Sequence, residues 1–322
     1  MYKDFYNLKR NPFEITPDPS FLFATKKHNE ALAALYYGVK RRKGFVVLTG
    51  EVGTGKTMLV RCLLQVLNRA NVAYAYVFNP RLSPMEFLQY IAGDFHIPTA
   101  GKSKSDLLLD LSNFVITRHQ RDLTTVLIVD EAHHLSADLL EEVRLLTNLE
   151  TPDAKLLQIL LVGQPELDAT LDCNDLRQLK QRIALRSHLN SLDVEETEGY
   201  IHRRLHMAGN TDPGQIFPMD TVAEVHRQSR GFPRLINTLC ENALIHGYAK
   251  QLHSIPAGMI TEIAAEFRLN VVHVPAAQRE AQEHHGEIER AARTLLNLYA
   301  SLRTAQERET DLTMSIGTGV KN

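Results

Sequence analysis

Eight consecutive residues narrow what this chain can fold into more than any other feature. Gly50-Glu-Val-Gly-Thr-Gly-Lys-Thr57 fits the pattern G-x-x-x-x-G-K-[ST]. The apolar run 45–49 precedes it and a helix-patterned stretch, 57–70, follows it. A strand, a glycine loop and a helix in that order make an anion nest. The glycines let the backbone curl until amide N–H groups converge, and the helix start adds its positive dipole end. Gly50, Glu51, Val52, Gly53, Thr54, Gly55, Lys56, Thr57 and Met58 are therefore the candidate nucleotide-phosphate residues. Lys56 is expected at the β- and γ-phosphates of ATP, and Thr57 on Mg2+.

A second motif complements the first. Val126-Leu-Ile-Val-Asp130-Glu131 places an acid pair at the end of four apolar residues, as a central strand would. Asp130 is expected to hold the Mg2+ shell and Glu131 to orient or deprotonate an attacking water. The spacing between the motifs leaves room for an intervening strand. His133 and His134 follow the acids and invite a metal reading, but adjacent histidines usually diverge and no cysteine flanks them. The chain's 14 histidines read mostly as surface residues. Gln164, after the apolar run 156–162, either faces the γ-phosphate from a neighbouring strand end or sits in an ordinary turn between Gly163 and Pro165.

From Gly44 onward strands and helices alternate. Strands are expected over 45–49, 72–78, 125–130, 156–162 and 184–189, and helices over 57–70, 84–95, 105–120 and 137–149. Such alternation predicts an α/β fold with a parallel five-stranded sheet between helices. After Leu192 the pattern turns all helical, over 194–208, 219–229, 233–250 and 256–267, which predicts a small helical lid domain. The expected divisions are an N-terminal arm and helix over 1–43, a core over 44–192, the lid over 193–270, and a C-terminal helix and tail over 271–322. Three prolines between Asn11 and Ser20 make that stretch an extended arm, pinned by Phe13, Phe21 and Phe23. In the tail Ile288, Ala292, Leu295, Tyr299 and Leu302 form a two-heptad apolar seam, suited to packing on the lid or docking a partner.

Composition enters by exclusion. Lys+Arg 36 against Asp+Glu 38 is no polycation, so any contact with duplex DNA has to come from local runs such as Lys26-Lys27, Lys40-Arg-Arg-Lys43 and Lys102 with Lys104. Three scattered cysteines argue for a reducing cytoplasm and against a disulfide scaffold. No stretch is long enough to span a membrane, and Met1–Tyr6 lacks the apolar region of a signal peptide, so any inner-membrane role runs through a partner.

Two arginine segments remain. Leu176–Ile183 is basic and helix-like, either a solvated face or the source of an arginine finger for a neighbouring subunit. Arg234, in the first turn of a helix opened by Gly231-Phe-Pro, could reach back to the phosphates.

At these residues the chain resembles the AAA+ superfamily, and more closely the ExeA/GspA-type ATPases of bacterial secretion and surface assembly. The shared runs include Asn11-Pro-Phe13, Gly44 to Thr57, Leu156 to Leu167 with its Gly-Gln-Pro-Glu-Leu, Gln178 to Ile183, and Gly231-Phe-Pro-Arg-Leu-Ile-Asn237. The resemblance implies Walker A roles for Lys56 and Thr57, Walker B roles for Asp130 and Glu131, sensor 1 at Gln164 and sensor 2 at Arg234. It implies a finger at Arg182, with Arg177 as runner-up, and at Asn79 a polar switch restraining the catalytic glutamate. It places the N-terminal arm near adenine. It further implies ATP hydrolysis with Mg2+ in a ring or filament of identical subunits, in the cytoplasm, serving a cell-envelope export or exopolysaccharide system through a protein partner. Transposition regulators of the TnsC/TniB kind share the core and load on duplex DNA, which keeps that alternative open beside a slow nucleotide-gated scaffold.

Overall fold

A computed structural model describes residues 1–14 and 18–269. The apolar seam of the tail lies outside the described residues.

Five strands, β1 (Phe45–Gly50), β2 (Ala73–Val77), β3 (Thr125–Val129), β4 (Leu157–Gly163) and β5 (Ile183–Leu189), form one parallel sheet in the order β2-β3-β4-β1-β5. The register sets Phe45 beside Ile159 on one side and Ile183 on the other. Every residue of β1, β3 and β4 is buried, whereas the edge strand β5 alternates between half-buried and exposed until Leu189. A central strand covered on both faces needs an unbroken apolar run, and an edge strand does not.

Successive side chains point to opposite faces, so each strand feeds two cores. Val47, Val77, Leu127, Val129 and Leu161 join the cluster under α4 (Pro84–Asp94), α5 (Lys104–Gln120) and α6 (Ala137–Leu146). Val46, Leu48, Val126, Ile128 and Leu160 join the cluster under α2 (Lys26–Lys40) and α3 (Lys56–Arg69). Ser83 and Ser103 start α4 and α5 with reciprocal capping boxes, and Thr25 caps α2.

Short helices α1 (Tyr2–Phe5), α7 (Pro165–Leu171), α8 (Arg177–Lys180) and α10 (Pro213–Ile216) complete the set with α9 (Val194–Met207), α11 (Met219–Ser229), α12 (Pro233–Ala249) and α13 (Ala257–Glu266). Sequence periodicity did not anticipate α7. Gly163 and Pro165 suggested a turn, but proline at a first helical position begins a helix readily, with Gln164 as its cap residue. Helix α6 stops at Leu146, three residues earlier than its pattern suggested, and the chain then closes an isolated antiparallel bridge between Glu150 and Lys155.

A third apolar cluster lies within the helical segment, and the N-terminal residues are part of it. Tyr6, Leu8 and Phe13 are buried with Ile201, Leu205, Phe217, Leu239 and Ile260. Backbone and side-chain bonds fasten that arm: the Lys9 amide donates to Ala208 O at 2.7 Å, and Asn210 Nδ2 donates to Tyr6 O at 3.0 Å. The first fourteen residues thus pack with the helices that follow β5.

Gly231, between α11 and α12, packs on the Leu192 backbone ahead of α9. Its φ is +75°, its carbonyl accepts the Leu192 amide at 2.9 Å, and a Cβ there would be driven into the Leu192 backbone. Gly231→Ala is expected to destabilise the protein by about 3 kcal/mol or more, since it combines positive-φ strain with a backbone clash. Chemical denaturation measures this, and a shift below 1 kcal/mol counts against the close packing of Gly231 on Leu192.

Candidate nucleotide site

The site forms where β1, β3 and β4 end. Gly53 (φ +82°) and Gly55 (φ +100°) turn the loop through left-handed backbone that only glycine adopts freely, so α3 begins directly at Lys56. Lys56 is buried. Its Nζ donates to Gly50 O at 2.7 Å and Glu51 O at 2.9 Å. Burial lowers its pKa, opposed by Glu131 and Asp130 nearby. A buried cation among convergent amides fits a polyphosphate.

Asp130, at the end of β3, is ordered by three donors. Tyr76 Oη donates to Oδ2 at 2.8 Å, Thr57 Oγ1 donates to Oδ2 at 3.3 Å, and the Glu131 amide donates to Oδ1 at 2.9 Å. Thr57 and Asp130 together offer hard oxygen ligands of the kind Mg2+ takes. Tyr76 was not legible as a site residue. It lies on β2, burial and the Asp130 charge raise its pKa, and it keeps its proton on that bond.

Glu131 adopts left-handed backbone (φ 51°, ψ 35°) as the chain leaves β3 for the turn Ala132–His134. Its Oε2 lies 3.5 Å from His133 Nε2. The two histidines do not diverge as expected. Their ring centroids are 4.1 Å apart, and Glu131, His133 and His134 bring ligand atoms within 4.8 Å of one another. Both His133 nitrogens, however, already face Gln164: Nδ1 accepts its amide at 3.3 Å, and Nε2 lies 2.8 Å from its side-chain Nε2. The strand between the two motif strands is β4, and it delivers Gln164 to this place.

Val52, Gly53, Thr54, Gly55, Lys56, Thr57, Met58, Glu131, Gln164 and Arg234 line one cavity of about 380 Å³. Arg234 is exposed in the first turn of α12, and its amide donates to Gly53 O at 3.3 Å. The cavity's other wall is apolar and aromatic, with Phe21, Leu22, Phe23 and Tyr200. Arg204, 4% exposed, lies there over the Phe21 and Tyr200 rings, and its Nε has no partner among the described residues. His28 underpins the loop. Its buried ring donates from Nε2 to Thr54 O at 3.2 Å and accepts the Thr25 hydroxyl on Nδ1 at 2.8 Å. Burial lowers its pKa, against the opposing pull of the Thr54 carbonyl and Glu196. Neither Arg204 nor His28 belongs to a motif, and His28 departs from the surface reading of the histidines.

Gly50 ends β1 behind the loop, and Glu51 lends its carbonyl to Lys56. Asn79 is exposed, and its Oδ1 accepts the Arg81 amide at 3.3 Å. Arg182 does not line the cavity. Its Nη1 donates to Asn148 Oδ1 at 2.6 Å, Arg144 O at 3.4 Å and the Thr147 hydroxyl. The Arg177 side chain is exposed and makes no hydrogen bond or ion pair among the described residues, while Arg186 pairs with Asp168 at 3.2 Å.

Comparison with known proteins agrees with this geometry. Residues 39–171 match the family model described as an AAA domain. The solved structures with this fold include the Aeropyrum pernix ORC2 protein in ADPNP-ADP complexes, with TM-score 0.61 and 19% identity, covering 80% of this chain and 72% of that one. Drosophila ORC bound to DNA gives TM-score 0.61 and 20% identity, covering 86% and 68%. This is an AAA+ P-loop protein. The general secretion pathway protein A of Aeromonas hydrophila is 44% identical over 267 residues, 83% of this chain, so the similarity to that protein extends well beyond the AAA domain. The chain spans about half of that relative's length, 48%.

Proposed function

We propose that this protein binds ATP with Mg2+ and hydrolyses it, and that a self-assembled ring or filament uses the cycle to energise or regulate assembly of a cell-envelope export system. The observation that carries the reading is the convergence of Lys56, Thr57, Glu131, Gln164 and Arg234 on one cavity, with Asp130 bonded to Thr57 behind it. The loop amides and Lys56 hold the phosphates. Thr57 and Asp130 hold Mg2+, which when bound neutralises charge on the phosphate oxygens. Glu131 orients water for in-line attack, and Gln164 and Arg234 contact the phosphoryl group. Leu22, Phe23 and Tyr200 enclose the base, and the helical segment over 193–270 acts as the lid. The likeness to a secretion-pathway protein supports the envelope task, and a cytoplasmic protein recruited to the inner membrane through a partner would serve it. Among the described residues no helix is long and apolar enough to cross a membrane. Nucleotide titration and phosphate release on the purified chain test the reading. Saturable Mg2+-dependent ATP binding is expected, and its absence overturns the proposal.

Charge pairing weighs against DNA as the primary ligand. Lys27 pairs with Glu30 at 3.4 Å, Lys102 with Asp110 at 2.5 Å, Lys104 with Glu142, and Arg42 with Asp122 at 2.8 Å. These cations already have carboxylate partners, which leaves Lys40, Arg41 and Lys43 as the members of the basic runs without one among the described residues. Duplex DNA is therefore expected to bind the ATP-loaded protein weakly, with a shallow dependence on salt. A salt titration showing tight, steeply salt-sensitive binding would instead favour the transposition-type reading.

A further inference from the structure

We infer that His133 is a positioning residue that sets the side-chain orientation of Gln164 beside the Glu131 carboxylate. The inference deepens the hydrolytic reading above and rests on it. His133 sits in the turn Ala132–His134 directly after Glu131, with its side chain 8% exposed. Gly163 lets that turn pack on the end of β4, where a Cβ would lie 3.2 Å from the His133 amide nitrogen.

The hydrogen-bond logic is closed. A neutral imidazole carries one donor and one acceptor. The Gln164 backbone N–H, 3.3 Å from Nδ1, can only donate, so Nδ1 is the acceptor and Nε2 carries the hydrogen. The Gln164 amide 2.8 Å from Nε2 must then present its oxygen to His133. That orientation turns the amide's two N–H donors away from His133 and leaves them for the cavity that Gln164 lines with Lys56, Thr57 and Glu131. The same Nε2 lies 3.5 Å from Glu131 Oε2, so the ring that holds Gln164 also borders the Glu131 carboxylate. Without His133 the amide is free to rotate and offer its oxygen to a phosphate, which repels it. Burial and the adjacent His134 favour the neutral ring this arrangement needs, while Glu131 and Glu166 face it from the acidic side.

The test compares His133→Ala, His133→Asn and His133→Gln, each alone and combined with Gln164→Ala, reading ATP affinity, KM and kcat. His133→Ala is expected to lower kcat roughly 10- to 100-fold, the scale of a displaced transition-state hydrogen bond, with ATP affinity changed less than about twofold. His133→Gln, whose amide reaches the place of Nε2, should recover more kcat than His133→Asn, which reaches only the place of Nδ1. The His133→Ala, Gln164→Ala double variant should be no slower than Gln164→Ala alone, because both remove one coupled device. Wild-type kcat in His133→Ala, fully additive losses, or Asn rescuing better than Gln would each overturn the inference. Glu131→Gln run alongside separates the levels. If it is inactive while His133→Ala is fully active, only this inference fails; if it is fully active, the assignment of Glu131 as the catalytic acid falls and takes the inference with it; if the wild-type chain itself releases no phosphate, the hydrolytic reading has failed first.

Discussion

Glu131→Gln is expected to bind ATP as the natural chain does and to turn it over at least about 100-fold more slowly. The substitution keeps the size and one acceptor of the side chain but removes the charge that orients and deprotonates water. Little else depends on that charge: the side chain is 44% exposed, and its near neighbour is His133 at 3.5 Å. The left-handed backbone at this position needs no carboxylate, so fold and ATP affinity should be retained. Lys56→Ala should do the reverse and lose binding first. Its ammonium is the cation buried within the loop, and two loop carbonyls already fix it at 2.7 and 2.9 Å, so little ordering is left for a phosphate to impose. Isothermal titration and single-turnover phosphate release distinguish the two variants. Hydrolysis by Glu131→Gln at the wild-type rate would sink the assignment of the catalytic acid.

The contrast between those residues and Tyr76, His28 and Arg204 explains what a sequence can disclose. Lys56, Thr57, Asp130 and Glu131 stand at the ends of unbroken apolar runs, and in a parallel sheet all such ends meet along one edge. Contiguity therefore announces both the strand and its chemistry, and five strands could be placed to within two residues at each end. Tyr76 lies in a half-buried edge strand whose alternation says only that it faces some helix, not that Asp130 waits 54 positions away. His28 and Arg204 reach the cavity from α2 and α9, where helical periodicity reads them as ordinary members of an amphipathic face. The packing of Tyr6, Leu8 and Phe13 with helices some 200 residues distant is hidden for the same reason: an aromatic arm shows that something apolar receives it, but not which element.

Arg182→Ala is expected to bind ATP normally and to hydrolyse it roughly 10³-fold more slowly, on the proposal that its guanidinium acts on a neighbouring subunit's nucleotide. The sheet register supplies the reason. Ile183, next to Arg182, pairs with Phe45 at the start of β1, whereas the loop that holds phosphate leaves the far end of that strand at Gly50. Six residues of strand put the two about 20 Å apart, beyond the reach of an arginine side chain. Arg182 instead lies against the C-terminal end of α6, fixed by Asn148, Thr147 and the Arg144 carbonyl, where a cation is favoured by the helix dipole. A second copy docked on this face would receive a finger already ordered. Specific activity should accordingly rise with protein concentration. Mixing Arg182→Ala with Glu131→Gln, each nearly inactive alone, should restore partial turnover, since some interfaces then pair an intact Glu131 with an intact Arg182. A purely local loss of packing at α6 would give no such rescue. If mixed assemblies form and remain inactive, the finger must lie elsewhere, and exposed Arg177, which has no ion-pair partner among the described residues, becomes the residue to replace next.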